Sequence, residues 1–80
     1  MSQTAQLKEQ IQSRKFRIMD LDVKISNLAD GIRNMVGTRL TPNKQIPFDA
    51  ITNRATEAFM LTKQRVELQA EIRQAEEELS

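Results

Sequence analysis

Apolar residues in the first half of the chain recur in alternating steps of four and three from Leu7 to Met35. Such a heptad is typical of a helix that packs along one stripe against another helix. The stripe consists of Leu7, Ile11, Arg14, Ile18, Leu21, Ile25, Leu28, Ile32 and Met35, in which Arg14 fills the one polar step. The pattern predicts a first helix over about residues 3–36, although Gly31 inside it costs about 1 kcal/mol relative to alanine.

A second apolar stripe follows Pro47 and predicts a second helix over about residues 47–79. Proline suits the first turn of a helix, and Asp49 complements the positive end of the helix dipole. The stripe consists of Ile51, Ala55, Ala58, Leu61, Arg65, Leu68, Ile72, Ala75 and Leu79, with an irregular step from Ala58 to Leu61.

Residues 37–46 form the predicted connector between the two helices. Gly37 is expected to cap the first helix, because glycine is the residue most often found just after a helix end. Pro42 and Pro47 stiffen the connector, and Thr41 followed by Pro42 predicts a short helical turn within it.

The two stripes match each other when the helices are placed side by side in opposite directions. Opposed residues then have numbers that add up to 86, from Leu7 with Leu79 to Met35 with Ile51. Because the two stripes were identified independently, this agreement predicts a long antiparallel two-helix hairpin of the coiled-coil kind. We therefore predict an all-α fold with a single domain over residues 1–80.

Composition excludes several classes of function. The 80 residues include no cysteine and no histidine, which removes disulfides, the usual zinc sites and the commonest general base. No Gly-rich phosphate loop, pair of catalytic carboxylates or nucleophile–base pair occurs, so we expect neither an enzyme nor a bound cofactor. No signal peptide or apolar run of about 20 residues is present, which predicts a cytoplasmic protein without a membrane anchor.

A second set of apolar residues lies outside the stripes. Phe16, Met19 and Val23 share one face of the first helix, and Phe59, Met60 and Val66 form a similar patch on the second. Scattered exposed apolar residues are common in soluble proteins. Patches at helical spacing on both helices instead favour contacts between copies of the chain, and we predict a homo-oligomer.

Arg14 and Arg65 lie on otherwise apolar stripes, and three interpretations apply to them. Their stems can pack on the stripe while the guanidinium groups reach water or a carboxylate such as Glu71, Asp20 or Asp22. They can also fix the alignment of the two helices at some cost in stability. The third interpretation is contact with a ligand.

The connector region is basic, because it and its flanks contain only one carboxylate, that of Asp49, against four cationic side chains: Arg33, Arg39, Lys44 and Arg54. One interpretation is a stiff turn without a further role. The other is an anion site at two helix ends, where cationic side chains, threonine hydroxyls and backbone N–H groups hold phosphate oxygens.

The segments LADGI, Leu28 to Ile32, and AITNRATEAFM, Ala50 to Met60, flank this basic connector. Over about Leu28 to Leu61 the chain resembles the helical-hairpin domain of phage anti-CBASS sponges, which sequester cyclic oligonucleotides between protomers without catalysis. The resemblance implies an anti-defence protein of phage origin with a cyclic nucleotide as ligand. It implies phosphate contacts from Arg39, Lys44 and Arg54, and hydrogen bonds from Thr41, Thr52 and Asn53.

Two other classes of function stay open. A coiled-coil adaptor, inhibitor or assembly chaperone would bind a host or phage protein through the outer patches. In size and helix–loop–helix patterning the chain is comparable to the tail-fibre assembly chaperones of T-even phages. A nucleic-acid-binding hairpin would use Arg14, Lys15, Arg17 and Lys24, but the net charge of +1 and the absence of Tyr and Trp disfavour it.

Overall fold

The computed structural model describes residues 3–37 and 46–80, and these residues form two α-helices. Helix α1 is Gln3–Gly37, with 35 residues, and α2 is Phe48–Leu79, with 32 residues. The first and last residues of both helices lie within one residue of the predicted positions. No strand occurs in the described ranges. The all-α, two-helix prediction is therefore confirmed.

The helix ends near the connector differ from the prediction. Pro47 precedes α2 as its N-cap instead of lying in its first turn, and its carbonyl accepts the N–H of Ile51 at 3.0 Å. Asp49 occupies the first turn, as expected. Gly37 is the last residue of α1, and its φ is not positive, so it does not form the left-handed cap that was predicted. The predicted turn at Thr41 and Pro42 lies outside the described residues.

The predicted stripe of α1 faces α2 along the full length of the helix. Every residue of that stripe is buried or half-buried, and Gly31 is the one further residue of α1 that is not exposed. We call the residues that face each other in this way the seam. The seam removes the apolar stripes of both helices from water, which is the driving force for the hairpin.

The helices run antiparallel in the predicted alignment. Ile11, Ile72 and Ala75 form a buried cluster, against which Leu7, Ile18 and Leu79 pack. Two ion pairs cross the seam further along, from Arg14 to Glu71 and from Arg65 to Asp22. The residue numbers of these pairs add up to 85 and 87, on either side of the predicted 86.

The stripe of α2 was predicted wrongly at one position. Ala55 is exposed, while the side chain of Arg54 crosses to α1 and lies against Gly31 and Met35. With Arg54 in place of Ala55, the stripe of α2 follows alternating steps of three and four from Ile51 to Leu79. The irregular step between Ala58 and Leu61 is thereby removed, because arginine can cover a seam position with its aliphatic stem.

The hairpin is a thin rod with a sparse core. Its principal extents are 65 × 16 × 14 Å, and its radius of gyration is 18.5 Å. A compact domain of this length has a radius of about 12 Å. Five apolar residues are buried in the described ranges, each still 6–8% exposed, and no described side chain is completely enclosed. Much apolar surface therefore remains in contact with water.

Candidate functional site

Arg14 and Arg65 occupy seam positions and are each neutralised by a carboxylate of the other helix. Arg14 Nε donates to Glu71 Oε2 at 2.8 Å, and Arg65 Nε donates to Asp22 Oδ1 at 2.5 Å. Two of the three predicted carboxylate partners are confirmed, whereas Asp20 instead pairs with Lys24 on its own helix at 3.2 Å. Both arginines are half-buried, so their stems pack on the seam while their guanidinium groups meet acids at its edge.

Arg54 is the third arginine whose side chain reaches the other helix, but unlike Arg14 and Arg65 it is exposed. Its Cδ and Nε atoms lie 3.5 Å from where a Cβ on Gly31 would stand, and its guanidinium donates a weak hydrogen bond to Met35 Sδ at 3.7 Å. All 11 Asp and Glu residues fall in the described ranges, and none of them pairs with Arg54 there. Its charge is thus available at the turn end of the rod.

The other predicted phosphate-binding residues divide into two groups. Thr52 and Asn53 lie on exposed positions of the first turns of α2, beside Arg54. Arg39, Thr41 and Lys44 lie outside the described residues. Arg33, which the sequence counts among the local cations, is exposed near the end of α1. The described part of the turn end therefore carries the cations Arg33 and Arg54 beside the exposed carboxylates of Asp30 and Asp49, so its predicted cationic excess depends on connector residues outside the described ranges.

The outer face of α1 is the surface that points away from α2 and carries Phe16, Met19 and Val23. All three side chains are well exposed, with Phe16 at 59%. A shallow depression surrounds Phe16 and is lined only by side chains of α1, among them Glu9, Arg17 and Asp20. The predicted patch is thus present as an apolar surface bordered by charges.

The outer face of α2 carries Phe59, Met60 and Val66 on the opposite side of the rod. These residues are also well exposed, with Phe59 at 67%. Because seam positions at equal height have numbers near a sum of 86, Phe59 and Val66 lie level with residues 27 and 20 of α1. Both patches therefore lie at the middle of the rod, and they overlap in height.

Three features were not predicted from the sequence. Phe48 at the start of α2 and Val36 near the end of α1 are exposed apolar residues outside the two patches. The contact of Arg54 with α1 was also missed, although counting three and then four residues from Ile51 reaches Arg54 and then Ala58. The spacing indicated Arg54, but the neighbouring Ala55 is apolar and gives an equally long stripe at the cost of one irregular step.

The described residues hold no group of acidic, histidine or cysteine side chains that would ligate a metal ion. Neither described helix is long and apolar enough to cross a membrane. The predictions of a cytoplasmic location and of no cofactor stay predictions.

No protein-family model matches the chain, and comparisons with curated proteins and with solved structures found no match. The resemblance over Leu28 to Leu61 therefore stays a prediction as well. Fold and surface together define a class: a rod-like antiparallel helical hairpin with an exposed apolar patch on the outer face of each helix.

Proposed function

We propose that the chain is a non-enzymatic binding protein that acts by stoichiometric association through its two outer faces. The observation that carries this proposal is the position of the phenylalanines. The chain contains three, Phe16, Phe48 and Phe59, and all three are more than half exposed. Burying such a side chain contributes about 1.5–3 kcal/mol. Phe16 and Phe59 lie in the outer patches and away from the seam, so their burial is left for a partner, whereas Phe48 lies outside both patches.

The partner that fits an outer face is another helix. Phe16 and Val23 are seven residues apart, as are Phe59 and Val66, so each pair repeats after two helical turns, about 10.5 Å. A straight apolar ridge of this kind packs along a helix rather than into a compact cavity. The partner can be a second copy of the chain, which gives a homo-oligomer, or an amphipathic helix of another protein. The second case corresponds to an adaptor, inhibitor or assembly chaperone.

Sedimentation velocity of matched phenylalanine variants tests this proposal. Phe16→Ser and Phe59→Ser each remove one outer ridge, whereas Phe48→Ser removes an equally exposed ring outside both patches. We expect the first two variants to sediment as smaller species than the unaltered protein, and the third to behave as the unaltered protein does. Circular dichroism verifies that all variants keep their helix content. Equal sedimentation of all four proteins would exclude self-association through the outer faces.

The second candidate function is sequestration of a cyclic nucleotide at the turn end, as in the phage sponges that the sequence resembles. The observation that favours it is Arg54, which reaches α1 as Arg14 and Arg65 reach the opposite helix, but is exposed and has no carboxylate partner in the described ranges. An uncompensated guanidinium beside exposed Thr52 and Asn53 offers donors to a phosphate. Arg39, Thr41 and Lys44 would complete such a site.

Thermal shift with a panel of cyclic di- and trinucleotides tests the second candidate. A ligand present at 100 times its dissociation constant stabilises the folded protein by about 2.7 kcal/mol, which raises the melting temperature measurably. Arg54→Met keeps the stem that packs on Gly31 but removes the charge, and we expect it to abolish the shift. Lys63→Met, at an exposed position of α2 away from the turn end, is the control. A panel in which no nucleotide raises the melting temperature would exclude this function.

A further inference from the structure

The outer face of α1 and the outer face of α2 are complementary to each other when they belong to different copies. We propose that the protein associates with itself by packing α1 of one copy antiparallel against α2 of the next, with all hairpins pointing the same way. This inference rests on the proposed function and specifies its partner as a second copy. The two faces lie on opposite sides of one rod, so they cannot meet within a single chain.

The apolar residues favour the antiparallel direction. Phe16 and Val23 on α1, and Phe59 and Val66 on α2, have the same spacing and the same order along the chain. In the antiparallel direction Phe16 lies opposite Val66 and Val23 lies opposite Phe59. Each large ring then faces a small side chain, which fills the interface evenly. In the parallel direction phenylalanine would face phenylalanine and valine would face valine, with a bulge beside a gap.

The charges beside the apolar ridge complete the match. One heptad before Phe16 is Glu9, and one heptad after Val66 is Arg73, so the antiparallel alignment places this acid opposite this base. Lys15 likewise comes opposite Glu67. None of these four charged side chains forms an ion pair within the described parts of the hairpin. These four charges are therefore available to form ion pairs between two copies.

The competing parallel alignment has weaker charge partners. It would place Asp30 opposite Arg73 and Lys24 opposite Glu67. Lys24, however, is already bonded to Asp20 on its own helix. Antiparallel helix dipoles also attract, whereas parallel ones repel.

A contact between two unlike faces has a consequence for the assembly. An open assembly of any size has one unpaired α1 face and one unpaired α2 face. The contact therefore repeats until the assembly closes into a ring, or it extends as a chain. Since all hairpins point the same way, every turn end lies at the same end of the assembly. Arg33 and Arg54 of several copies would then be gathered on one surface.

Single cysteines in this cysteine-free chain distinguish the alignments. Four variants are used: Glu9→Cys, Asp30→Cys, Thr52→Cys and Arg73→Cys, all at exposed positions on the outer faces. Variants are mixed in pairs, oxidised and analysed on non-reducing gels. The antiparallel alignment predicts disulfide-linked dimers for the pairs 9 with 73 and 30 with 52. The parallel alignment predicts dimers for 9 with 52 and 30 with 73.

We expect the two antiparallel pairs to cross-link at least several times more efficiently than the two parallel pairs. The reverse ranking would overturn the proposed arrangement, as would efficient links between α1 positions alone. If sedimentation shows an oligomer but no mixture cross-links preferentially, the arrangement is wrong and self-association stands. If the protein sediments as a monomer and no pair links, the arrangement falls, and binding through the outer faces then requires a different protein as partner.

Discussion

Gly31 lies inside α1 at the point where Arg54 of α2 crosses the seam. Its backbone is ordinary right-handed helix, since no described glycine has a positive φ. A Cβ added there would meet Arg54 Cδ and Nε at 3.5 Å, which is ordinary van der Waals contact. Neither conformation nor space therefore requires glycine at this position, and its main effect is to weaken the helix.

We predict that Gly31→Ala raises the free energy of unfolding by up to about 1 kcal/mol, the difference in helix propensity between the two residues. Urea titration followed by circular dichroism measures it. Gly37→Ala is the matched control: a Cβ there meets nothing within 4 Å, and the residue ends α1, so a smaller gain is expected. A loss of stability in Gly31→Ala would show that Arg54 approaches Gly31 too closely to leave room for a Cβ, in contrast to the contact at 3.5 Å.

The ion pairs of Arg14 and Arg65 align the helices more than they stabilise them. All four side chains are partly exposed, so water screens their attraction. We predict that Glu71→Gln lowers the free energy of unfolding by no more than about 1 kcal/mol, and that 1 M NaCl reduces the difference. Lys24 with Asp20 provides a control pair within one helix, for which Asp20→Asn should cost still less. A loss of several kcal/mol in Glu71→Gln would contradict this interpretation.

Along the two helices, the apolar period predicted nearly everything that the structure shows. On α1 it selected the seam residues without error, because branched apolar side chains occupy the inner positions at strict heptad spacing. On α2 it failed at Arg54, since a long cationic side chain can pack on the opposite helix while its charge stays in water. It also did not include Ala50, which is half-buried just before the stripe begins. At the connector it misplaced the roles of Gly37 and Pro47, because proline and glycine each suit several positions near a helix end.

The inner positions carry the stability of the hairpin. We predict that Ile72→Ala, in the buried cluster with Ile11 and Ala75, lowers the free energy of unfolding by about 2–4 kcal/mol. Val36→Ala, at an exposed position of α1, is the control and should change it by less than about 0.5 kcal/mol. Chemical denaturation of both variants measures the difference. Equal effects would mean that the seam is not the principal core.

For the complete hairpin, the sequence predicted the shape but left the partner open. The two apolar stripes have matching spacing, and this match specifies an antiparallel rod. It can be found in the sequence because both stripes belong to the same chain. What the outer faces bind depends on a second surface, and a single sequence supplies that surface only if the partner is another copy. The complementarity of Glu9, Phe16 and Val23 with Phe59, Val66 and Arg73 is the basis on which we propose a second copy as the partner.

Association through the outer faces should couple assembly to folding. A rod with five buried residues in the described ranges has little core of its own, and contacts between copies stabilise the folded state by mass action. We predict that the melting temperature rises with protein concentration, and that Phe16→Ser and Phe59→Ser weaken this dependence. Differential scanning calorimetry over a hundredfold range of concentration measures it. A melting temperature that is independent of concentration would argue for a monomer that is stable alone.

Sedimentation equilibrium of the unaltered protein tests whether the outer faces join copies of the chain. The chain has a mass of 9.2 kDa. We expect a mass that is a multiple of this value at micromolar concentrations, or one that rises towards such a multiple with concentration. A mass of 9.2 kDa at every concentration up to about 1 mM, where even a binding free energy of about −4 kcal/mol would be detected, would contradict self-association.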